Sequence, residues 1–130
     1  MPAAEAYFEA ELSVIPVDGN LVIEGGDGCF YDIPEEYTTD GVEADLIIYV
    51  TGVDQPDEDW LAGASACVLD GDNNRPIYGE IDWNYATLNT DSEFKAENDI
   101  LTGLHELIHV FGFADNLYEF YWNNDEDAVQ

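Results

Sequence analysis

The chain places both of its histidines in one short motif, His105-Glu106-Leu107-Ile108-His109, which continues as Val110-Phe111-Gly112-Phe113. Two histidines four positions apart lie one above the other on a helix, so two imidazoles can reach one zinc ion. The glutamate between them is placed to take a proton from an attacking water. The pattern H-E-x-x-H-x-x-G-F therefore predicts a zinc-dependent hydrolytic site, and a surface helix that carries these letters by chance is the alternative.

The zinc motif requires a helix, and the residues before it predict one. Thr90 with Glu93 fits a capping box at the start, and Gly112 is placed to end the helix. Apolar residues recur at helical spacing, which predicts a face turned toward the core. That predicted face consists of Phe94, Leu101, Leu104, Ile108 and Phe111.

Upstream of this helix, β-prone runs alternate with turn residues. The predicted strands are residues 21–23, 45–50, 64–69 and 77–83. The run 45–50 is continuously apolar, which indicates burial on both faces. Residues 2–12 predict a short helix and residues 34–41 a loop. Because no repeat or linker interrupts the chain, these elements predict a single α+β domain.

The charge of the chain limits its partners. Among 130 residues, thirty are acidic and two are basic, which gives a formal net charge of -28. Such a surface repels nucleic acid and anionic membranes, so both are excluded as partners. No apolar run is long enough to span a bilayer, so membrane insertion is excluded as well. The acidic surface attracts cations, and Ca²⁺ is one expected ligand; a merely solvated surface in a saline medium is the simpler alternative.

The chain has two cysteines, Cys29 and Cys67. A low, even count in an extracellular chain favours one disulfide, although the sequence does not show that these two residues meet. The N-terminal residues lack the basic and apolar regions of a signal peptide. An extracellular or cell-surface location would therefore require a signal that has been removed or that belongs to a longer precursor.

Three blocks of the sequence, in order, resemble the leishmanolysin-type zinc metallopeptidases. The first is residues 38–50, which end in Asp-Leu-Ile-Ile-Tyr-Val. The second is residues 66–81, with Ala-Cys-Val-Leu-Asp followed by Arg-Pro-Ile-Tyr-Gly-Glu-Ile. The third is the H-E-x-x-H-x-x-G-F motif. The resemblance runs from about Cys29 to Phe113, and three blocks in order are more specific than the zinc motif alone.

The resemblance implies a fold and roles for particular residues. The expected fold is the α+β, metzincin or zincin-like N-terminal subdomain, a twisted mixed sheet with the HExxH helix packed on it. Residues 1–130 would form a single zincin-like domain or a truncated catalytic half. His105 and His109 would be zinc ligands, and Glu106 would be the catalytic general base. An extended peptide substrate would lie along an edge strand. That strand includes Gly63, Ala64, Ser65 and Ala66.

The sequence also departs from the family. Leishmanolysins supply a third histidine ligand further downstream and a methionine-containing turn beneath the metal, whereas the only methionine here is Met1. Asp115 stands where other metzincins place their third histidine, and the snapalysins are similar in having aspartate there. A carboxylate can bind zinc, so Asp115 is the candidate third ligand, and a capping or solvated aspartate is the alternative.

Two functions from different classes follow from the resemblance. The first is a zinc-dependent metalloendopeptidase that cleaves peptides or proteins, with Zn²⁺ as its cofactor. The second is a catalytically inactive, leishmanolysin-like structural protein that assembles as a homo-oligomer or filament, bridged by Ca²⁺ at its acidic surface. A third interpretation is that the chain is a fragment of a longer peptidase.

Overall fold

The fold of this computed structural model is a mixed α+β arrangement. It describes residues 2–12, 14–25, 28–88 and 92–120. The elements in chain order are α1 (Pro2–Glu11), α2 (Glu35–Thr39), β1 (Ile47–Val53), β2 (Ala62–Leu69), β3 (Pro76–Asn84), α3 (Glu93–Val110) and a 3₁₀ helix (Asp115–Phe120). None of the helices in these ranges is both long and apolar enough to cross a membrane.

The three strands form one mixed sheet in the order β1-β3-β2. β3 lies at the centre, parallel to β1 and antiparallel to β2. The predicted strand 45–50 corresponds to β1, which spans Ile47–Val53 and lies at one edge of the described sheet. The prediction that it is buried on both faces is wrong, because Val50 is exposed. The central strand is instead β3, along which apolar and polar residues alternate. Its polar side is covered by the N-terminal segment, which a local pattern cannot reveal.

The two faces of the sheet bury separate apolar clusters. On one face, Ile81 of β3 packs with Leu107 and Val110 of α3, and Phe8 of α1 joins this cluster. On the other face, Tyr78 belongs to a cluster built mainly from residues 17–49 and their neighbours. The zinc-motif helix thus lies against one face of the sheet, and the N-terminal segment covers the other.

The core-facing side of α3 differs from the predicted one. Leu101 is 61% exposed and Ile108 is also exposed, whereas Leu107 and Val110 are buried. The expected core role was therefore wrong for Leu101 and Ile108, while Leu104 and Phe111 do pack against the buried cluster. Apolar residues occupy most of the circumference of this helix, so periodicity alone could not select the buried stripe.

Gly79 sets the distance between α3 and the sheet. A Cβ atom at this position of β3 would lie 2.5 Å from Val110 Cγ1 and 3.0 Å from the Ser65 carbonyl oxygen. The helix therefore rests directly on the backbone of the central strand, one residue from His109. The lack of a side chain at Gly79 lets Val110 of the helix approach the sheet closely, and this contact positions the zinc motif.

Smaller elements differ from the predictions as well. Residues 21–23 form no strand; Leu21 makes only an isolated bridge with Val42. The predicted loop 34–41 contains α2, which follows Pro34 and opens with two acidic residues. Proline and early acidic residues are helix-start signals, so this helix could have been predicted. The predicted cap residue Thr90 lies outside the described residues.

Candidate metal centre

His105 and His109 present their Nε2 atoms to one point beside α3. These two atoms lie 3.0 Å apart, and the ring planes are perpendicular. Two nitrogen ligands on a tetrahedral zinc ion lie about 3.3 Å apart, because each Zn–N bond is about 2.0–2.1 Å. A few tenths of an ångström of ring movement would therefore allow both histidines to bind the same ion.

The hydrogen bonds of His109 determine which of its two ring nitrogens can bind a metal ion. Its Nδ1 lies 2.9 Å from the carbonyl oxygen of Phe113. A carbonyl can only accept, so Nδ1 carries the hydrogen and Nε2 of neutral His109 has a free lone pair. In the metal-free protein, His105 Nε2–H would then donate to His109 Nε2. A metal ion would replace that proton, as metal sites commonly require.

The turn after α3 brings the Phe113 carbonyl to His109. Gly112 adopts a φ of +100°, and its N–H bonds to the His109 carbonyl at 3.0 Å. The Phe113 N–H bonds to the Ile108 carbonyl at 3.1 Å. This is a Schellman motif, in which glycine is favoured because its φ is positive. Gly112 was predicted to end the helix. The contact between the Phe113 carbonyl oxygen and His109 Nδ1 was not predicted, although the x-x-G-F spacing after the second histidine determines it.

Glu106 lies between the two histidines on the inner side of α3, where it is only 6% exposed. Together with His105 it borders a groove of about 750 Å³ between α3 and the residues that lead into β2. The other lining residues are Trp60, Leu61, Ala62, Asn98, Leu101 and Thr102. A buried carboxylate at the end of an open groove is suitably placed to meet a bound ligand.

The groove adds residues that sequence reasoning had not assigned. Asn98 and Thr102 precede His105 by seven and three positions, so they share its side of the helix. Their spacing from His105 could therefore have identified Asn98 and Thr102 from the sequence. Trp60 comes from the loop before β2, and nothing in the local sequence indicated its position. The predicted substrate strand, residues 63–66, is indeed part of β2, which pairs only with β3 among the described strands.

Asp115 is not brought to the two histidines in this structure. It opens the 3₁₀ helix, it is exposed, and its Oδ1 accepts the Asn116 N–H at 2.8 Å. Within the described ranges, no set of three candidate ligand atoms mutually within 4.8 Å includes the histidine pair. His105, Glu106 and His109 therefore come together on one helix, and a role of Asp115 as third ligand stays a prediction.

A second group of polar residues lies on the opposite face of the sheet. Cys29 and Cys67 form a disulfide with a Cα–Cα distance of 5.2 Å, which joins the N-terminal segment to β2. Next to it, Glu80 is 1% exposed. Its Oε2 accepts the N–H of Phe30 at 2.5 Å and that of Tyr31 at 3.3 Å. No pattern in the sequence indicated that Glu80 lies beside these cysteines.

The α+β domain thus carries two paired histidines and a buried glutamate on one helix, the arrangement that the H-E-x-x-H motif has in metallopeptidases. The family model for leishmanolysin matches residues 1–126, and the chain belongs to the leishmanolysin family. It is also similar to a leishmanolysin-like peptidase of Caenorhabditis briggsae, with 31% identity over 88 residues. That match covers 64% of this chain and 13% of the relative, so the chain spans a small part of that protein's length.

Proposed function

We propose that this protein is a zinc-dependent metalloendopeptidase domain. The observation that carries the proposal is the arrangement on α3, where two histidine Nε2 atoms 3.0 Å apart lie beside the buried Glu106 at the end of a groove. Family membership supports the same chemistry. In this proposal the fold is zincin-like, with α3 as the metal-binding helix packed behind the sheet.

His105 and His109 would hold the zinc ion, and Asp115 is the proposed third protein ligand. When bound, zinc would act as a Lewis acid that polarises the scissile carbonyl and acidifies water. The Phe113 carbonyl, 2.9 Å from His109 Nδ1, would hold this ring in the tautomer that binds metal. Two histidines alone fall short of the three protein ligands usual at catalytic zinc, which is why Asp115 is included.

Glu106 would act as the general base. Its carboxylate would take a proton from the attacking water and then give it to the leaving amine. Its buried position suits this role, because a charge in a water-poor environment interacts more strongly with the reacting atoms than a solvated one does. Removal of such a group usually lowers the rate by about 10²–10⁴-fold.

The substrate would be a peptide in extended conformation along the outer edge of β2, with residues 63–66 as its backbone partners. Edge pairing reads the backbone, so it gives weak sequence selectivity. The adjoining groove would take a side chain between Trp60 and Leu101. We further propose that residues 1–130 act as one zincin-like unit or as the catalytic half of a longer peptidase, at the cell surface or outside the cell.

Metal content and proteolysis test this proposal together. We expect one zinc ion per wild-type chain by plasma mass spectrometry, and none in His105→Ala. Glu106→Gln should keep the zinc and lose cleavage of a denatured protein, while Glu97→Gln, an exposed glutamate on the same helix, should keep both. A folded wild-type chain without zinc would contradict the proposal, and so would a Glu106→Gln variant that remains active.

An apolar surface groove favours a second function, that of a self-assembling structural protein. The groove has a volume of about 260 Å³, and its apolar lining residues are Leu12, Val14, Leu46, Pro76, Phe111 and Phe113. In the proposed assembly, these apolar side chains would be buried against a second copy of the chain. If the protein is structural, sedimentation should show that it assembles when Ca²⁺ is added. The variant Glu106→Gln should assemble to the same extent as the wild type. A monomer at high protein concentration with calcium would exclude it.

A further inference from the structure

The disulfide and Glu80 form a compact group of metal-binding atoms. The Cys29 sulfur, the Cys67 sulfur and a Glu80 carboxylate oxygen all lie within 4.8 Å of one another. As a disulfide, the two sulfurs are poor ligands, because zinc binds the thiolate. If the disulfide were reduced, two thiols and a carboxylate would surround one point on the sheet face opposite the histidine pair.

Glu80 contributes an independent observation. The residue is 1% exposed, and its Oε1 makes no hydrogen bond of ordinary length among the described residues, although the equally buried Tyr78 hydroxyl interacts with this carboxylate. Only Oε2 is used, by the amides of Phe30 and Tyr31. An unpartnered carboxylate oxygen in the interior is costly, and a cation would satisfy it. This oxygen is therefore available to a metal ion that the two sulfurs could bind after reduction.

The backbone at both cysteines would permit the sulfurs to separate. Cys29 is exposed and lies outside any helix or strand. Cys67 is at an irregularity of β2, where the pairing passes from Ala66 opposite Gly79 to Val68 opposite Tyr78 and skips the cysteine. β-Bulges reorient a side chain without loss of the surrounding ladder. A reductant can reach Cys29, and neither sulfur is held by regular pairing.

We propose that reduction converts this disulfide into a second zinc site, with Cys29, Cys67 and Glu80 as ligands. A dithiol would reduce the bond, yielding two cysteine thiols and the oxidised, cyclic form of the dithiol. Zinc binding would then release the two thiol protons, while the Glu80 carboxylate completes three protein ligands. Thiolates favour zinc over calcium or magnesium, which prefer oxygen ligands. The proposal is independent of peptidase activity.

Zinc stoichiometry in the two redox states tests the proposal. Oxidised and phosphine-reduced protein are each loaded with Zn²⁺, desalted, and analysed by mass spectrometry. We expect one additional zinc per chain after reduction in the wild type and in His105→Ala, and no additional zinc in Cys29→Ser. His105→Ala separates this site from the histidine site, so failure of one site is distinguishable from failure of the other.

Spectroscopy and Glu80→Gln identify the ligands. With Co²⁺ in place of zinc, the reduced wild type should show a thiolate-to-cobalt charge-transfer band that is absent from the oxidised protein and from Cys29→Ser. Glu80→Gln should weaken zinc binding by at least about tenfold, the loss typical of even a supporting residue. No additional zinc on reduction, or unchanged binding in folded Cys29→Ser or Glu80→Gln, would overturn the assignment.

Discussion

The two faces of the sheet differ in chemistry, although β3 contributes to both. Toward α3, β3 presents Gly79 and Ile81, which pack against the apolar side of the zinc-motif helix. Toward the N-terminal segment it presents Tyr78 and Glu80, which are equally buried but polar. Packing on the first face is stabilised by the complementary shapes of apolar side chains. Packing on the second face is stabilised by hydrogen bonds and one disulfide.

This difference indicates how each face should respond to change. An apolar contact is sensitive to volume and insensitive to pH or redox state. A buried carboxylate and a disulfide have the opposite sensitivities, because they depend on charge, on partner amides and on oxidation. The proposed peptidase site lies on the face governed by shape, and the proposed redox-dependent site lies on the other.

Loss of the disulfide should have the largest effect on stability. The bond closes a sequence separation of 38 residues. A loop of that length corresponds to about 4 kcal/mol in the free energy of unfolding. We expect Cys29→Ser to lose this amount in urea denaturation with a metal chelator present, and reduced wild type to lose the same. A loss below about 1 kcal/mol would show that the polar face does not depend on its covalent bond.

Removal of the Glu80 carboxylate should have the next largest effect. Glu80→Leu would leave the amides of Phe30 and Tyr31 without their acceptor, at a cost of about 3 kcal/mol in unfolding free energy. Glu80→Gln retains an acceptor oxygen and should lose clearly less. Chemical denaturation of the two variants provides the measurement, and equal losses would mean that the two amide hydrogen bonds are not what stabilises this face.

On the shape-dependent face, Gly79→Ala should cost about 2 kcal/mol in unfolding free energy, because the new methyl group would meet Val110. It should also weaken zinc binding, since α3 must move. Gly63→Ala on β2 is the matched control, because a Cβ there meets no atom within 4 Å. Denaturation and zinc titration distinguish the two; equal behaviour would show that α3 adjusts freely on the sheet.

The smallest effect concerns Tyr78 at high pH. Burial, and secondly the charge of Glu80, raise the pKa of the Tyr78 hydroxyl above its ordinary value of 10.0. The unfolded chain releases this proton near pH 10 while the folded protein retains it, so this contribution is complete below pH 10 and is lost as the pH rises further. Near pH 10.5 the wild type should lose less than about 1 kcal/mol of unfolding free energy in this way. The variant Tyr78→Phe should not show this loss.

The exposed Tyr85 provides the control for this effect. Unfolding free energies of the wild type, Tyr78→Phe and Tyr85→Phe are compared between about pH 9 and 10.5. We expect Tyr78→Phe to have a flatter profile than Tyr85→Phe. Identical profiles for the two variants would show that burial of the Tyr78 hydroxyl does not contribute to alkaline unfolding.

The sequence predictions succeeded for structural features that residues close in the chain determine. They failed for features that residues distant in the chain determine. Helix α3 and the turn at Gly112 are set by neighbours along the chain, and their patterns were informative. The central position of β3 depends on its pairing with β1 and β2, and the burial of its polar side depends on residues as distant as Phe30, which bonds to Glu80. Local periodicity cannot contain that information, so β1 was wrongly expected to be buried on both faces.

The same limit applies to the candidate site. The histidine pair could be predicted because its members are four positions apart on one helix. Trp60 could not be, since its place in the groove depends on how the loop before β2 packs against α3. Asp115 was inferred from a spacing in other families, and whether it reaches a metal depends on the conformation of the turn after α3.

The open edge of β2 also has a consequence for the colloidal behaviour of the protein. Among the described strands, the outer edge of β2 is an unpaired row of amides and carbonyls, and such an edge can pair with a strand from another molecule. At neutral pH, mutual repulsion of chains with a charge of -28 opposes such pairing. Near the isoelectric point of about 4.1 this repulsion vanishes. Acidification should therefore turn a dispersed solution turbid before the individual molecules lose their fold.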